Sequence, residues 1–239
     1  MIPKVFHLTA KSKSLKPGFQ RNVDRIKEIY SEFDVIIYDD EDIDNFLKKA
    51  DLEYYHKTIL NMPKYIMVVD TVRYLWMREL GGIYCDMDVF FQQRIDFGES
   101  PFFIEREWTW PQDHSIVDSV HNCIFASPPR HPIWDHLLEG IADNIVKMNN
   151  DVLQRRNLRN KLRKFFGLAN PARESISPVF NATGPNAISK IITNEELLKL
   201  YPDVKVSSPH LLYQAGLSTG EVERAYVVHQ TAASWKEIG

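Results

Sequence analysis

Residues 81–91 read Gly-Gly-Ile-Tyr-Cys-Asp-Met-Asp-Val-Phe-Phe, and this stretch says more about the fold than any other part of the chain. The two glycines break the preceding segment, and the apolar residues after them predict a buried strand that ends at Asp86. In an extended chain residues i and i+2 point to the same face, so the carboxylates of Asp86 and Asp88 are expected to project together. Open α/β sheets bind ligands at the carboxyl edge of their strands, which is where this pair would lie.

The segment before the glycines has the pattern of a helix from Pro63 to Leu80, because Pro63 suits a first turn and Gly81 suits a C-terminal cap. Its expected apolar face consists of Ile66, Val69, Val72, Leu75, Trp76 and Leu80. Asp70 and Arg73 are three residues apart and therefore share one face of this helix. Read alone they indicate a surface ion pair, but they interrupt an apolar stretch, which favours partial burial.

The rest of the chain alternates predicted strands and helices. A strand over 3–8, a helix from Pro17 and a strand over 33–38 are typical of an α/β layer with a parallel sheet. Further strands are predicted over 102–105, 122–126, 204–207 and 226–229, and further helices over 40–50, 52–60, 132–148 and 185–200. We expect a single α/β domain over residues 1–239, with an appended helical element at about 149–172.

The composition excludes several classes of protein. With 239 residues, 44% hydrophobic and 26% charged, the chain is typical of a soluble globular protein, and its net charge of −3 argues against general nucleic-acid binding. Cys85 and Cys123 are too few for a disulfide framework and favour a reducing compartment. No signal-peptide pattern follows Met1, and no apolar run approaches the roughly 18 residues of a membrane span. A cytoplasmic location is therefore expected.

Two neighbouring carboxylates repel each other, and a divalent cation relieves that repulsion. Because Mg²⁺ and Mn²⁺ favour oxygen ligands, Asp86 and Asp88 predict a metal site, although a bare Asp-x-Asp is more often a solvated turn. His229 ends a predicted strand and could bind a metal or a phosphate, and Trp235 could stack on a base or a sugar. Alone, both residues are more often involved in packing.

Taken together, these segments resemble glycosyltransferase family 32, the DXD-containing sugar transferases that include α-1,6-mannosyltransferases and capsular polysaccharide transferases. They are more distantly similar to the glucosylating domains of clostridial toxins. The matching motifs are Ile2–His7, Asp70–Tyr74, Gly81–Asp88, Thr183–Pro185 and His229–Trp235, which span nearly the whole chain.

The resemblance implies a GT-A fold, a single Rossmann-like domain that binds a nucleotide-sugar together with Mn²⁺ or Mg²⁺. It implies a hexosyltransferase that retains the anomeric configuration, with a UDP-sugar as the favoured donor. The acceptor would be a saccharide or a lipid-linked saccharide in polysaccharide or glycan assembly.

The resemblance also implies a role for particular residues. Asp88 would bind the metal directly, and Asp86 would contact the donor and reach the metal through water. Asp70 and Arg73 would bind the hydroxyls of the donor sugar. His229 would lie near the metal and the diphosphate.

Further donor contacts are implied for residues at both ends of the chain. Ser234 and Trp235 would touch the phosphates, and His7 would lie beside the nucleotide. The family usually has Trp three residues after this histidine, where this chain has Ala10, so Tyr38 or a neighbouring aromatic is the candidate for stacking on the base. The candidates for acceptor contact, which fit ordinary loop polarity equally well, are Glu105, Asp118, His121 and Asn122.

Residues 153–166 have the pattern of a basic amphipathic helix. Its cationic residues are Arg155, Arg156, Arg159, Lys161, Arg163 and Lys164. This pattern predicts either a peripheral contact with a membrane surface or a helix docked on the core with a solvated basic rim.

Two other interpretations of the Asp-x-Asp pair stay open. In haloacid-dehalogenase-like phosphatases the first aspartate is a nucleophile, but their motif lies near the N-terminus and has Thr or Val where this chain has Phe90. A non-catalytic domain that binds a nucleotide-sugar is the other alternative, since a fold and a motif do not prove turnover.

Overall fold

The computed structural model describes residues 1–48, 52, 58–59, 61–105, 120–166, 177–214 and 222–230, with the backbone alone for 105, 151–166, 177–178 and 214. The strands are β1 (Val5–Thr9), β2 (Asp34–Tyr38), β3 (Gly82–Cys85), β4 (Val89–Phe91), β5 (Phe102–Glu105), β6 (Val120–Ser127), β7 (Lys205–Ser207), β8 (Leu212–Gln214) and β9 (Val227–His229). The helices are α1 (Pro17–Ile29), α2 (Asp40–Leu47), α3 (Tyr65–Glu79), α4 (Ile133–Phe166), α5 (Ser177–Ala182), α6 (Pro185–Ile192) and α7 (Glu195–Leu200).

The main sheet is mixed, with six strands in the order β2-β1-β3-β6-β5-β7. Strand β1 is parallel to both β2 and β3, whereas β6 is antiparallel to β3 and to β5. The expectation of a parallel sheet therefore holds for β2-β1-β3 and is wrong for β6. A parallel pair needs a crossover connection, usually a helix, and the described residues between β3 and β6 contain none.

A smaller sheet forms beside the end of β3. Its order is β4-β9-β8, with β9 antiparallel to β4 and parallel to β8. The register pairs Val89 with His229. Because Val89 follows Asp88 directly, this pairing brings His229 close to the Asp-x-Asp segment.

Apolar side chains fill both faces of the main sheet. On one face, α3, α4 and α6 pack around Tyr84 and Phe125, with Trp76 and Trp134 fully buried. On the other face, α1 packs around Phe6 and the strands next to it. Two layers of helices around one sheet give the α/β architecture that the sequence predicts.

Local rules explain where α3 ends. Gly81 has φ +64°, and its N–H donates to the carbonyls of Trp76 and Met77 at 3.1 Å. A glycine in the left-handed region after the last helical turn is a common C-terminal cap, and Gly81 was predicted as one. The helix begins two residues later than expected, because Lys64 has extended backbone angles and Pro63 precedes the helix.

Two predicted helices differ from the observed ones. The helix predicted over 132–148 continues to Phe166, so the basic segment is a continuation of α4 and not a separate element. The helix predicted over 185–200 is divided into α6 and α7, because the side chain of Asn194 caps a new helix by accepting from the backbone N–H groups of Glu196 and Leu197. Most of the helix predicted over 52–60 lies outside the described residues. Across the part of the chain that the structure describes, the helices are too short or too polar to span a membrane.

Candidate active site

Three side chains that can bind a metal meet at the carboxyl end of β3. Asp86 and Asp88 follow β3, and His229 is the last residue of β9. One potential ligand atom from each of the three lies within 4.8 Å of the others, and Nε2 of His229 is 3.3 Å from Oδ1 of Asp88. The structure thus brings together the three residues that the sequence suggested as metal ligands.

The Asp86–Asp88 segment is a turn and not an extended strand. The N–H of Val89 donates to the carbonyl of Asp86 at 3.1 Å, and the N–H of Gln230 donates to the carbonyl of Asp88 at 2.8 Å. The expectation that both carboxylates share a strand face is therefore wrong in its geometry. They converge because the chain turns immediately after β3.

The donor set fits a divalent cation of the Mn²⁺ or Mg²⁺ type. Two carboxylates supply hard oxygen ligands, while an imidazole is a ligand that Mn²⁺ accepts more readily than Mg²⁺. Nδ1 of His229 is buried and has no hydrogen-bond partner among the described residues. The imidazole is held in place by the β4-β9 pairing, with its Nε2 side toward Asp88.

A buried ion network connects α3 to this turn. The Arg73 guanidinium contacts Oδ1 of Asp70 through Nη2 at 3.0 Å and Oδ1 of Asp86 through Nη1 at 3.1 Å. The same Nη1 donates to the carbonyl of Asn122 at 2.9 Å. Asp70 and Arg73 are each 5% exposed, so the pair is not a solvated surface pair.

Two further residues orient the carboxylates of this network, and sequence reasoning gave neither of them a role. The hydroxyl of Tyr84 donates to Oδ1 of Asp86 at 2.5 Å, and the Tyr84 ring lies 4.6 Å from the Arg73 guanidinium. The hydroxyl of Thr183 donates to Oδ2 of Asp70 at 3.1 Å. Both stand inside motifs quoted for the resemblance, and that was the signal available in the sequence.

Burial controls the ionisation of the two carboxyls in the network. Burial raises the pKa of Asp70 to about 6, and the charge of Arg73 and the hydrogen bond from Thr183 oppose this rise. Burial also raises the pKa of Asp86, against the opposing charge of Arg73. A cation bound beside Asp86 would favour its ionised form.

His7 is enclosed by the protein and is 1% exposed. Its Nε2 is 2.9 Å from the carbonyl of Gly81, so that nitrogen donates, and its Nδ1 accepts from the Tyr38 hydroxyl at 3.0 Å. Burial lowers the pKa of His7 to about 4, although the hydrogen bond to Gly81 raises it. His7 is therefore neutral near pH 7, and its contact with a nucleotide stays a prediction.

Tyr38 lies where β2 ends and stacks on Trp76 with ring centroids 4.2 Å apart. The backbone N–H of Ala10 donates to the Tyr38 carbonyl at 2.9 Å, so the position where the family usually has Trp is next to Tyr38. Trp76 is completely buried, whereas Tyr38 is partly exposed. Of these two stacked rings, Tyr38 is the one that a base could reach.

Several predicted site residues are not tested by these contacts. Ser234, Trp235 and Asp118 lie outside the described residues, and of Glu105 only the backbone is described. His121 is 5% exposed on β6. The structure describes only the backbone of the 153–166 segment, so the predicted roles of its basic side chains are not tested either.

The known proteins that this chain resembles are described as glycosyltransferases or as enzymes of mannosyl-lipid synthesis. Residues 16–107 match the family described as "Glycosyltransferase sugar-binding region containing DXD motif". The chain is 25% identical over 142 residues to mannosyl phosphorylinositol ceramide synthase CSH1 of Saccharomyces cerevisiae, which covers 59% of this chain and 35% of that protein. It is 24% identical over 238 residues to uncharacterized glycosyltransferase L373 of Acanthamoeba polyphaga mimivirus, covering 98% and 84% of the two chains.

The chain thus spans little more than a third of the length of the yeast relatives that it matches. Among solved structures, it is similar to the ligand-free glycosyltransferase domain from the YGT toxin, with a TM-score of 0.59 and 9% identity, covering 86% of this chain and 80% of that one. This likeness confirms the predicted fold class, an α/β domain of the GT-A type, whose central sheet is mixed in this structure.

Proposed function

We propose that this chain transfers a hexose from a nucleotide-sugar to a saccharide acceptor, because residues 16–107 match the family model of the DXD-containing glycosyltransferases. The observation that carries the proposal is the convergence of Asp86, Asp88 and His229 beside the buried pair of Asp70 and Arg73. The first group can hold a divalent cation. The second offers carboxylate oxygens and a guanidinium to a polar ligand.

A bound cation would neutralise the negative charge that develops on the departing diphosphate. Asp70 would accept hydrogen bonds from sugar hydroxyls, since each carboxylate oxygen has lone pairs beyond those used by Arg73 and Thr183. Nε of Arg73 is buried and has no hydrogen-bond partner among the described residues, so its N–H could donate to a bound ligand. The guanidinium also keeps the Asp86 carboxylate in place.

We propose that the reaction retains the anomeric configuration. The sugar would pass through an oxocarbenium-like transition state, and the acceptor hydroxyl would attack from the face of the leaving diphosphate. A diphosphate oxygen would take the proton of that hydroxyl. This route needs no protein nucleophile, and the described site assigns none.

The proposed donor is a UDP-sugar, with the exposed part of Tyr38 as the surface for the base. GDP-mannose is the competing donor, because the yeast relative is named as a mannosyl phosphorylinositol ceramide synthase. The ceramide in that name supports a lipid-linked acceptor as an alternative to a free saccharide. A cytoplasmic enzyme that touches the membrane surface through residues 153–166 would be suited to such an acceptor.

A thermal-shift panel tests the donor site. UDP, GDP, CMP and their sugars are added with and without Mn²⁺ to the wild type, to Asp88→Ala and to Asp24→Ala, a variant of an exposed acid on α1. We expect one nucleotide to raise the melting temperature only with Mn²⁺, in the wild type and in Asp24→Ala but not in Asp88→Ala. A panel without any metal-dependent shift would contradict the proposal.

Two further assays separate the alternative functions. A phosphatase would hydrolyse p-nitrophenyl phosphate and would lose that activity in Asp86→Asn. A non-catalytic domain would bind the nucleotide with Mn²⁺ but would release no sugar from the matching labelled donor, either to water or to a saccharide acceptor. A transferase releases the sugar and does not hydrolyse the phosphate ester.

A further inference from the structure

Asn22 is completely buried in α1, and its side-chain amide contacts both segments that carry the candidate metal ligands. Nδ2 of Asn22 donates to the carbonyl of Met87, the middle residue of the Asp86–Asp88 turn, at 2.8 Å. The same nitrogen lies 3.4 Å from Oε1 of Gln230, the residue after His229. One amide group thus spans the two parts of the site.

These contacts complete a set of links between the turn and the end of β9. The backbone N–H of Gln230 already donates to the carbonyl of Asp88 at 2.8 Å, and Val89 pairs with His229 in the small sheet. The amide of Asn22 adds a support from α1, which packs against β4. The turn is consequently fixed to a helix as well as to a strand.

The other end of the same amide is unsatisfied. Oδ1 of Asn22 is buried without a hydrogen-bond partner among the described residues. The orientation of the amide is determined by its surroundings, since only the NH₂ group can donate to the Met87 carbonyl. An unpaired buried carbonyl lowers stability, and an apolar residue in this position would avoid that cost. The benefit of asparagine here lies in the donor that it presents to the turn.

We propose that Asn22 is a positioning residue for the metal site, which holds the Asp86–Asp88 turn at a fixed separation from His229. The inference rests on the proposed function, because it assumes that these three side chains bind a cation. Without the amide, the Met87 carbonyl loses its donor and the turn is free to move away from the imidazole. Metal binding then weakens, while Asp70, Arg73 and the rest of the network stay in place.

The test is the affinity for Mn²⁺ in wild type and in Asn22→Leu, which has a similar volume and no donor. Free Mn²⁺ is measured by electron paramagnetic resonance, first with the protein and metal alone and then with UDP or GDP present. We expect Asn22→Leu to bind Mn²⁺ about 10- to 100-fold more weakly, the range typical of residues that orient metal ligands. In turnover assays the half-saturating Mn²⁺ concentration should rise by the same factor, with kcat at saturating Mn²⁺ within about threefold of wild type.

Val23→Ala is the matched control, because Val23 is the next residue of α1, is 1% exposed and does not contact the turn through a hydrogen bond. It should lower the melting temperature and leave the Mn²⁺ affinity unchanged. Asn22→Ser, which is too short to reach Met87, gives the same test if Asn22→Leu does not fold.

Each outcome decides a different statement. If wild type binds Mn²⁺ and the Asn22 variants bind it equally well, the role of Asn22 is refuted and the proposed function stands. If Val23→Ala weakens binding as much as the Asn22 variants, the effect follows from lost stability and the role of Asn22 is again refuted. If wild type binds no Mn²⁺ with or without a nucleotide, the proposed function fails and the inference fails with it.

Discussion

The hydroxyl of Thr183 donates to Oδ2 of Asp70 over 3.1 Å, although 113 residues separate the two along the chain. Thr183 is completely buried, and its own carbonyl accepts a hydrogen bond from the Tyr74 hydroxyl at 3.1 Å. The other oxygen of Asp70 pairs with Arg73. Both oxygens of this carboxylate are therefore held by the protein, which fixes the direction in which their remaining lone pairs point.

Thr183→Val should reduce kcat/KM for the donor by about 10-fold or more. Valine has nearly the shape of threonine but cannot donate, and a hydrogen bond to a charged group contributes about 1.5–3 kcal/mol. The carboxylate of Asp70 would turn toward Arg73, and its orientation toward a substrate would be lost. Steady-state kinetics with the donor identified in the thermal-shift panel measure the effect.

Thr183→Ser is the control for that substitution, because serine keeps the hydroxyl. We expect Thr183→Ser to recover most of the activity, with kcat/KM within about threefold of wild type. Equal activity in the valine and serine variants would show that the hydroxyl has no part in catalysis, whatever its effect on stability.

Asp70 should make the metal-free protein less stable as the pH rises. Burial raises its pKa to about 6 in the folded protein, above the ordinary value of 3.8. Between these two values the folded state holds a proton that the unfolded state has released, so the free energy of unfolding falls as the pH increases. Wild type should therefore lose stability relative to Asp70→Asn between about pH 4 and pH 6.

Urea unfolding of both proteins in EDTA, at several pH values from 4 to 7, measures this difference. Other carboxyls titrate in the same range, but they are common to the two proteins and cancel in the comparison. A difference that stays constant from pH 4 to pH 7 would mean that folding does not raise the pKa of Asp70, despite its burial.

Gly82→Ala should prevent folding or destabilise the protein severely. Gly82 has φ +101°, and a Cβ atom there would lie 2.7 Å from Cγ1 and 2.8 Å from the carbonyl oxygen of Val5. The strand that leads to Asp86 could not then pair closely with β1. Gly18→Ala is the matched control, because nothing lies within 4 Å of its added Cβ and alanine favours the helix by about 1 kcal/mol. Melting temperatures of the two variants should move in opposite directions, and similar values would contradict the packing described here.

Much of the fold and of the site could be predicted from short-range patterns. Gly81 was predicted as a C-terminal cap, and the apolar residues after Gly82 were predicted as a buried strand. His229 was predicted near the metal, and the strand that ends in it pairs with β4, which follows Asp88. The first two features follow from local sequence patterns, and the position of His229 follows from the resemblance to the family.

Other features depend on contacts that leave no pattern in the sequence. The direction of β6 follows from the path that the chain takes after β3, and neither segment reveals it alone. The amide of Asn22 reaches Met87 across 65 positions, and the Thr183 hydroxyl reaches Asp70 across 113. A single polar residue on an amphipathic helix or in a turn looks the same whether it faces water or a buried carbonyl, so sequence periodicity could not find these two roles.

His7 should make the protein less stable as the pH falls, in the opposite direction to Asp70. Burial lowers its pKa to about 4 in the folded protein, below the ordinary value of 6.5. Between these two pKa values His7 is protonated in the unfolded state but not in the folded state. The free energy of unfolding therefore decreases on acidification from about pH 6.5 to about pH 4. His7→Phe removes this contribution and keeps a ring of similar shape against Trp76.

At pH 7 the phenylalanine variant should be less stable than wild type by about 1–3 kcal/mol, because the buried Gly81 carbonyl loses its donor. The gap between the two proteins should narrow as the pH falls toward 4, which urea unfolding at each pH measures. His210→Ala, a change of an exposed histidine, controls for the general effect of removing an imidazole. A gap that is the same at pH 7 and pH 4 would mean that folding does not disfavour the protonated ring. The hydrogen bonds described here for a neutral His7 with Gly81 and Tyr38 would then be contradicted. His7 would be better described as an imidazolium that lies beside the nucleotide.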